Sequence, residues 1–429
     1  DYPVQTLLSG PASGVTAACF LGRSYAGEKF LTMDMGGTST DLSLIIDGRP
    51  TVSNDAGVGD FPLMMPVTGI EAIGAGGGSI AWMDGPVLRV GPQSTGADPG
   101  PASFGKGGVE PTLTDAYLLA GYIDPLNFLG GRLSLDVTAA ETAMRPIAAA
   151  LGVSVPEAAE ACTSVATSNM VASVLPYLAR HGVDPEDLTL VLYGGAGALH
   201  GPLLAAEIGI GQALVPTAPS VFCAFGGLVS ELVNDVAASV HGAPMTPQRL
   251  TETFARLERE ARSWLGAQIA PDILTDVRIE YWAEMRYRGQ SFELNVSLPE
   301  EAVREGDLAT LDAVFHVEHE RHYSHADPSA PTEFIELRTR ICGAMKIPEL
   351  HDRQLTGATL EAAVLALRPL RFGGNVYADA PVYDRQRLEP GHRISGPAVI
   401  DQNDTTILVP PGFMATVQAS GDIVMKQEA

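Results

Sequence analysis

The sequence predicts an α/β protein of two or three domains, and three observations carry that expectation. Residues 29–53 alternate apolar and polar positions between the turn signals Gly36-Gly37 and Asp47-Gly48. Residues 112–181 repeat alanine and leucine at helical spacing, and residues 188–215 read as strand, glycine turn, helix and strand. At 429 residues the chain is about three times a typical domain, long enough to bury a sizeable core without disulfide staples.

In chain order, the first elements are three strands, Lys29–Asp34, Ser39–Ile46 and Pro50–Ser53, joined by tight turns. From Gly69 to Gly108 the chain is glycine-rich ("IGAGGGSIAWMDGP", then "GADPGPASFGKGG"). It lacks the apolar pattern of regular elements, and a loop of that length is expected to serve a site. The stretch "VPEAAEACTSVATSNMVASVLPYLARHG" belongs to a helical layer whose apolar face should cover a sheet. "LTLVLYGGAGALHGPLLAAEIGI" supplies a strand, a glycine turn and a helix opening near Leu199, and "QALVP" adds a short strand. Beyond His241 a charged helical pattern, Thr251 to Ile269, leads into β-rich sequence that includes "FIELRTRI" and "PAVIDQNDTTILVPPG". The expected domains are therefore 29–245 and 246–429, the second β-rich.

Charge and cysteine content narrow the functional classes. With 27 basic and 51 acidic residues the net charge is −24, which opposes binding to nucleic acid or to anionic membranes. Cys19, Cys162, Cys223 and Cys342 form no C-x-x-C pair, a pattern expected of a reducing compartment, so a cytoplasmic location is anticipated. No apolar run reaches the roughly 18 residues of a membrane span, and the start "DYPVQTLLSG" has neither the basic flank nor the apolar stretch of a signal peptide. That start also lacks methionine, which leaves open a processed product or a part of a longer protein.

The chemistry-bearing stretch is "FLTMDMGGTSTDLSLIIDGRP". Gly36 and Gly37 let backbone N–H groups approach an anion without interference from Cβ, and Thr38, Ser39 and Thr40 surround them with hydroxyls. Asp34 and Asp41 flank the turn. Carboxylates do not bind phosphate, but they hold Mg²⁺ through its waters or orient an attacking hydroxyl. The same stretch also reads as an ordinary hairpin with solvated aspartates, so it needs a companion. "LVLYGGAGALHG" is that companion: Gly194, Gly195 and Gly197 close a strand and open a helix, aiming N–H groups and a helix N-terminus above the sheet. "GPASFGKGG" matches the Walker spacing, but Gly107 stands where Ser or Thr should ligate Mg²⁺ and no strand precedes it, so it is discounted as a P-loop.

"LLSGPASGV", "DMGGTSTDLSLIIDGRP", "IGAGGGSIAW", "VGPQSTGADPGPASFGKGG", "PTLTDAYLLAGYIDP", "LYGGAGALHGPLLAAEIGI", "YRGQSFEL" and "GPAVIDQNDTTILVPPG" together resemble the hydantoinase A and oxoprolinase family, in its order and over nearly the whole chain. The resemblance implies the fold of actin, sugar kinase and heat-shock ATPases, which hold nucleotide between two ribonuclease-H-like halves. It implies ATP with Mg²⁺ or Mn²⁺ as cofactors, Asp34 and Asp41 as metal and catalytic groups, and Thr38 beside them. Gly36, Gly37, Thr38, Ser39 and Thr40 would form a phosphate loop, and Gly194, Gly195 and Gly197 the adenosine side. The expected reaction is carbonyl phosphorylation of a cyclic amide (a hydantoin, oxoproline or lactam) for ring-opening hydrolysis. The alternatives are an acetone- or acetophenone-type carboxylase subunit, or a nucleotide-gated binding protein like the chaperones of this fold.

By the same resemblance, residues 1–28 are a junction to an absent N-terminal half with its own phosphate hairpin, and the expected partners are that half and a hydantoinase B-like subunit. The family more often has Pro at Ala198, Ala at Gly201, and Cys-Tyr-Gly-Arg where this chain has Ser103-Phe104-Gly105-Lys106. These departures bear on the substrate rather than on the fold. His316, His319, His322 and His325 lie three apart, so on a helix one pair can share a metal but not all four; a solvated helix end is the expectation. His200, after the glycine turn, is read as a polar cap near the nucleotide loop rather than as a general base.

Overall fold

The computed structural model describes residues 9–25, 27, 29–53, 57–58, 61–62, 67–347 and 352–428. It is a mixed α/β molecule of two compact units, residues 1–228 with 349–429 and residues 229–348. The first unit is built on one sheet with the order Arg393–Ser395, Phe413–Val417, Ile423–Gln427, Gln212–Val215, Thr189–Tyr193, Lys29–Met35, Thr40–Ile46 and Arg49–Pro50; Glu71–Ile73 also pairs with Thr40–Ile46. Lys29–Met35 runs antiparallel to Thr40–Ile46 and parallel to Thr189–Tyr193, which is in turn parallel to Gln212–Val215. That arrangement is the ribonuclease-H-like core that the resemblance implies.

Both faces of this sheet are covered, which is why its central strands are apolar almost throughout rather than alternating. Successive residues still go to opposite sides. Leu31, Met33 and Met35 join the core beneath the helical layer. Phe30, with Val191, Tyr193 and Leu214, packs against Val15, Ala18 and Leu21 of α1, Ser9–Gly22. The described part of the expected junction is thus a helix seated on this sheet. The helical layer comprises α2 (Leu113–Leu119), α3 (Val137–Leu151) and α4 (Val155–Arg180). Capping boxes start α2 at Thr112–Asp115 and α4 at Ser154–Glu157. After Thr189–Tyr193 come α5 (Gly197–Ile208), opening two residues before the expected Leu199, and α6 (Phe222–Val229).

One expectation is corrected here. The glycine-rich stretch is not devoid of regular structure: Ser79–Asp84 and Val87–Ser94 form an antiparallel hairpin. The anticipated domain 246–429 is divided in packing. Ile423–Gln427 pairs with Gln212–Val215, and Phe413, Ile423 and Met425 lie in the same core as Leu31 and Met33. The C-terminal strands complete the first unit because they cover what is otherwise an open edge of its central sheet.

The second unit is a four-stranded antiparallel sheet, in the order Leu232–Ser239, Thr332–Met345, Leu274–Tyr287, Leu294–Leu298, with α7 (Pro247–Gln268), α8 (Glu300–Glu305) and α9 (Leu308–Tyr323). Phe254, Leu257, Tyr281, Met285, Leu311, Phe315 and Leu337 share its core. The histidine cluster falls on and after α9, and the solvated reading fits only His322 and His325. His319 is 3% exposed; its Nδ1–H donates to the His325 carbonyl at 2.6 Å and its Nε2 faces Gln290 Nε2 at 3.1 Å. His316 Nδ1 meets the Tyr287 hydroxyl at 2.8 Å. These rings are packing and hydrogen-bonding parts of the core, held by the "YRGQSFEL" turn.

Candidate functional site

The hairpin places Asp34 and Asp41 directly opposite each other as a cross-strand pair. Burial raises both carboxyls above the usual carboxylate range, and for Asp41 the nearby Asp34 charge raises it further. Asp34 Oδ2 accepts a hydrogen bond from Cys223 Sγ at 3.2 Å. Its Oδ1 lies where a Cβ on Gly194 would come within 2.4 Å, and Gly194 has φ +80°, so this position tolerates only glycine without displacing the carboxylate. Burial and the Asp34 charge push the Cys223 thiol up to about 12, so it remains a protonated donor at neutral pH.

Between the two aspartates the turn is exposed at Gly36, Gly37 and Thr38. Gly36 N–H is used within the turn, donating to Ser39 O at 3.0 Å. The N–H groups of Gly37 and Thr38 have no acceptor among the described residues. Their carbonyl side is braced: Gly77 N–H donates to Gly36 O at 3.0 Å and Gly78 N–H to Gly37 O at 2.6 Å. A Cβ on Gly76 would sit 2.7 Å from Thr38 N, so the "IGAGGGS" segment is glycine-rich in order to press its backbone against the turn. Thr40 departs from the expected role. It is fully buried and its hydroxyl donates to Ala75 O at 2.6 Å, which leaves Thr38 and Ser39 as the accessible hydroxyls of the loop.

The second glycine turn reaches the same place. Ala196 N–H donates to Met35 O at 3.0 Å, tying the start of α5 to the end of Lys29–Met35, while Gly195 is exposed. Gly36, Gly37, Gly195 and Ala196 all border one cavity of about 260 Å³. Its other walls come from Phe104, Tyr117, Ile123 and Phe128 and from the hairpin Ala398–Gln402/Thr405–Val409, which contributes Asp401, Asp404 and Thr405. Thr405 Oγ1 donates to Gly195 O at 3.2 Å. These C-terminal residues were invisible as site residues in the sequence. The one available signal was the run of polar residues in "VIDQNDTT", interrupting two apolar strands.

The Walker-like segment is spent on structure: Asp115, fully buried, accepts Ala102 N–H at 3.2 Å and Ser103 N–H at 2.8 Å, as well as Thr112 N–H and hydroxyl. The discounted P-loop is thus a strap that carries Phe104 to the cavity. His200 is likewise interior. It is fully buried, bonded to the Tyr117 hydroxyl at 2.7 Å, and burial lowers it to about 4, so it serves neither as a loop cap nor as a base.

Residues 1–236 match the family described as Hydantoinase/oxoprolinase, and residues 243–422 match the Hydantoinase/oxoprolinase C-terminal domain. The chain belongs to the hydantoinase/oxoprolinase family. It is 35% identical over 432 residues to caprolactamase subunit alpha of Pseudomonas jessenii, covering 98% of this chain and 61% of the relative. The solved structure of the ATP-dependent caprolactamase from the same organism superposes with a TM-score of 0.75 at 33% identity, over 97% of this chain and 61% of that one. A nucleotide-free acetone carboxylase structure, from a study of ATP-dependent acetone carboxylation, superposes with a TM-score of 0.86 at 26% identity, over 98% of this chain and 61% of that one. The chain therefore spans about three fifths of the length of these relatives.

A Cβ on Gly201 would fall 2.1 Å from Leu192 Cδ2, so glycine at this position leaves room for the Leu192 side chain against α5. Among the described residues no helix is long and apolar enough to cross a membrane, and no group of three or more His, Cys, Asp or Glu converges as a metal cage. The Asp34–Asp41 pair fits a different kind of ion. Two half-buried carboxylates with raised proton affinity suit a hard divalent cation that takes its remaining oxygens from water and phosphate.

Proposed function

We propose that this chain is the nucleotide-binding part of an ATP-dependent enzyme that phosphorylates the carbonyl oxygen of a cyclic amide, preparing the ring for hydrolysis. The observation that carries this reading is the convergence of the acid-flanked Gly36-Gly37 turn and the Gly194–Gly197 helix start on one cavity. The free N–H groups of Gly37 and Thr38 and the Thr38 hydroxyl cradle the transferring phosphoryl group, whose charge spreads over oxygens during transfer. Gly195 and Ala196, at the start of α5, face the nucleoside side, while the buried Gly197 lets α5 pack closely against Met33. Asp34 and Asp41 hold Mg²⁺ or Mn²⁺, which when bound neutralises charge on the phosphates; the Cys223 thiol keeps the Asp34 carboxylate in place.

The O–P bond to the amide oxygen forms as the bond to the ADP oxygen breaks. Water then attacks the activated carbon, the ring C–N bond breaks as its nitrogen takes a proton, and a second water hydrolyses the resulting acyl phosphate to phosphate and the ring-opened amino acid. An unactivated amide is a poor electrophile, and each tenfold of rate requires about 1.4 kcal/mol off the barrier, so a phosphate leaving group supplies many such steps. Enclosing the phosphates from the opposite side falls to an N-terminal half, and the hydrolytic step to a hydantoinase B-like partner subunit.

The likeness to the acetone carboxylase structure supports a second reading, in which a ketone is phosphorylated for carboxylation. The test is phosphate release by the complete enzyme with Mg-ATP, measured with cyclic amides and, separately, with ketones plus bicarbonate. Amide-dependent release that is abolished by EDTA is the expected result. Ketone- and bicarbonate-dependent release selects the carboxylase. An ATP-dependent change in protein affinity without either dependence overturns both in favour of a switch.

A further inference from the structure

The N–H groups of Gly37 and Thr38, assigned above to the phosphoryl group, are each the far end of a chain of hydrogen-bonded peptides. A trans peptide is planar with its C=O and N–H pointing in opposite directions, so a donor that fixes the carbonyl oxygen also aims the N–H of the next residue. Thr38 N–H shares its peptide with Gly37 O, and Gly37 O accepts Gly78 N–H at 2.6 Å. Gly78 N–H in turn shares its peptide with Gly77 O. That oxygen accepts two donors from one residue, Thr114 N–H at 2.7 Å and the Thr114 hydroxyl at 2.8 Å. Gly37 N–H is held in the same way: Gly77 N–H donates to Gly36 O at 3.0 Å, and Ser79 N–H donates to Gly76 O at 3.0 Å. Of the two chains, the one that ends at Thr38 starts from a side-chain donor, on α2.

Hydrogen bonds in series polarise one another, each strengthening the next by roughly 10–30%. Donors on Gly77 O therefore make Thr38 N–H a stronger donor as well as a fixed one. The origin of the chain is dry, with Thr114 8% exposed and Ser79 fully buried, whereas its end at Thr38 is open. Along its length there is no room for a side chain. A Cβ on Gly76 would fall 2.7 Å from Thr38 N, one on Gly77 2.9 Å from Thr114 Oγ1, and one on Gly78 3.0 Å from Gly37 O. Phosphoryl transfer needs donors already in place where charge develops, and a chain held at its buried end supplies them without reorganisation.

We propose that Thr114 is a positioning residue for phosphoryl transfer, acting through the Gly77–Gly78 and Gly37–Thr38 peptides to fix and polarise the Thr38 N–H. The assignment rests on the phosphoryl-transfer reading above and adds to it a residue of the helical layer. A donor strengthened in this way matters most when charge builds on the transferring oxygens, so its effect falls on the transition state and not on ATP binding. Thr114 also borders the cavity, and direct contact with a ligand is the competing account.

The test uses the complete enzyme and two measurements: kcat and KM for Mg-ATP in phosphate release, and calorimetric affinity for Mg-ADP with aluminium fluoride, which mimics the phosphoryl group in transfer. Thr114→Val keeps the branched shape and the N–H but loses the hydroxyl donor. It should lower kcat and the affinity for the fluoride complex about tenfold each, less than the loss of a direct oxyanion donor, and leave the KM for Mg-ATP within about twofold. Thr114→Ser retains the donor and should recover to within about threefold of wild type. Gly78→Ala displaces the middle peptide from a position outside the cavity wall and should give the same split. Combined with Thr114→Val it should be little worse than either alone, because both break one chain. Wild-type kcat in Thr114→Val, or in Gly78→Ala where Thr114→Val does not fold, overturns the assignment and leaves phosphoryl transfer standing. So does a loss confined to KM, a Thr114→Ser variant no better than Thr114→Val, or a double variant in which the two losses multiply, which makes Thr114 a direct ligand contact. A wild-type enzyme that binds neither Mg-ATP nor the fluoride complex overturns both readings.

Discussion

Asp34 and Asp41 carry opposite consequences for stability and for activity. Their carboxyls are raised by burial and, for Asp41, by its neighbour, so the neutral forms are the ones the ligand-free fold favours. The stability contributed by those neutral forms is fully present below the ordinary carboxylate value and is lost as the pH rises through the raised folded-state values. Asp41→Asn removes that loss. The melting temperature of the nucleotide-free variant should therefore exceed that of wild type by an amount that widens as the pH rises from about 4 to 7; a gap that is constant with pH refutes the electrostatic account. The same substitution should lower nucleotide turnover by at least about a hundredfold, the scale of losing a positioning or metal-bridging group at a phosphoryl-transfer site. Wild-type turnover in the variant would remove Asp41 from the proposed machinery.

At the scale of elements, single buried side chains hold loops in place. Asp115 accepts four hydrogen bonds from the Ala102–Ser103 strap and from Thr112, all within a fully buried site. Asp115→Ala leaves those donors unpaired and should cost about 3 kcal/mol in denaturant unfolding, given 1–3 kcal/mol for each buried group left without a partner. A loss within about 0.5 kcal/mol, as for a surface site, contradicts this anchoring. In the second unit the two middle histidines of the cluster should behave unlike each other. His319→Ala empties a place among Tyr287, Phe315 and Tyr323 and is expected to cost about 2–3 kcal/mol, whereas His322→Ala, on the exposed side, should stay within about 0.5 kcal/mol. Equal effects in thermal unfolding would show that the cluster is a surface feature after all.

For the whole molecule, the C-terminal strands decide where the chain can be cut. Ile423–Gln427 closes the edge of Gln212–Val215, and Asp422 binds Thr217 N–H and hydroxyl, both at 2.8 Å, and the Tyr25 hydroxyl at 2.8 Å. Arg385, also buried, donates from Nη2 to the carbonyls of Val215, Pro216 and Gly421. A chain ended at residue 348 should consequently show no cooperative unfolding transition for the first unit and should aggregate through its bared sheet edge. A soluble, cooperatively melting 1–348 fragment would mean that the C-terminal strands are an appendage.

The sequence by itself determined the α/β class, the hairpin with its paired aspartates, the second glycine turn and the family, because each is written in contiguous residues. Turn chemistry, alternation and helical spacing act over a few positions, and Gly36-Gly37 between two apolar runs has few other ways to fold. The glycines of "IGAGGGS" were legible as a special loop but not as a brace, since their reason is the backbone of Gly36–Thr38, some forty residues away. Only tertiary structure decided that Thr40 and His200 are spent inside the core, that the last strands belong to the first unit, and that Asp401 lines the same cavity as the turn. The physical reason is common to all three: hydrogen-bond partners and burial are set by which distant strands share a sheet, and a strand edge carries no mark in its own sequence of what will pair with it.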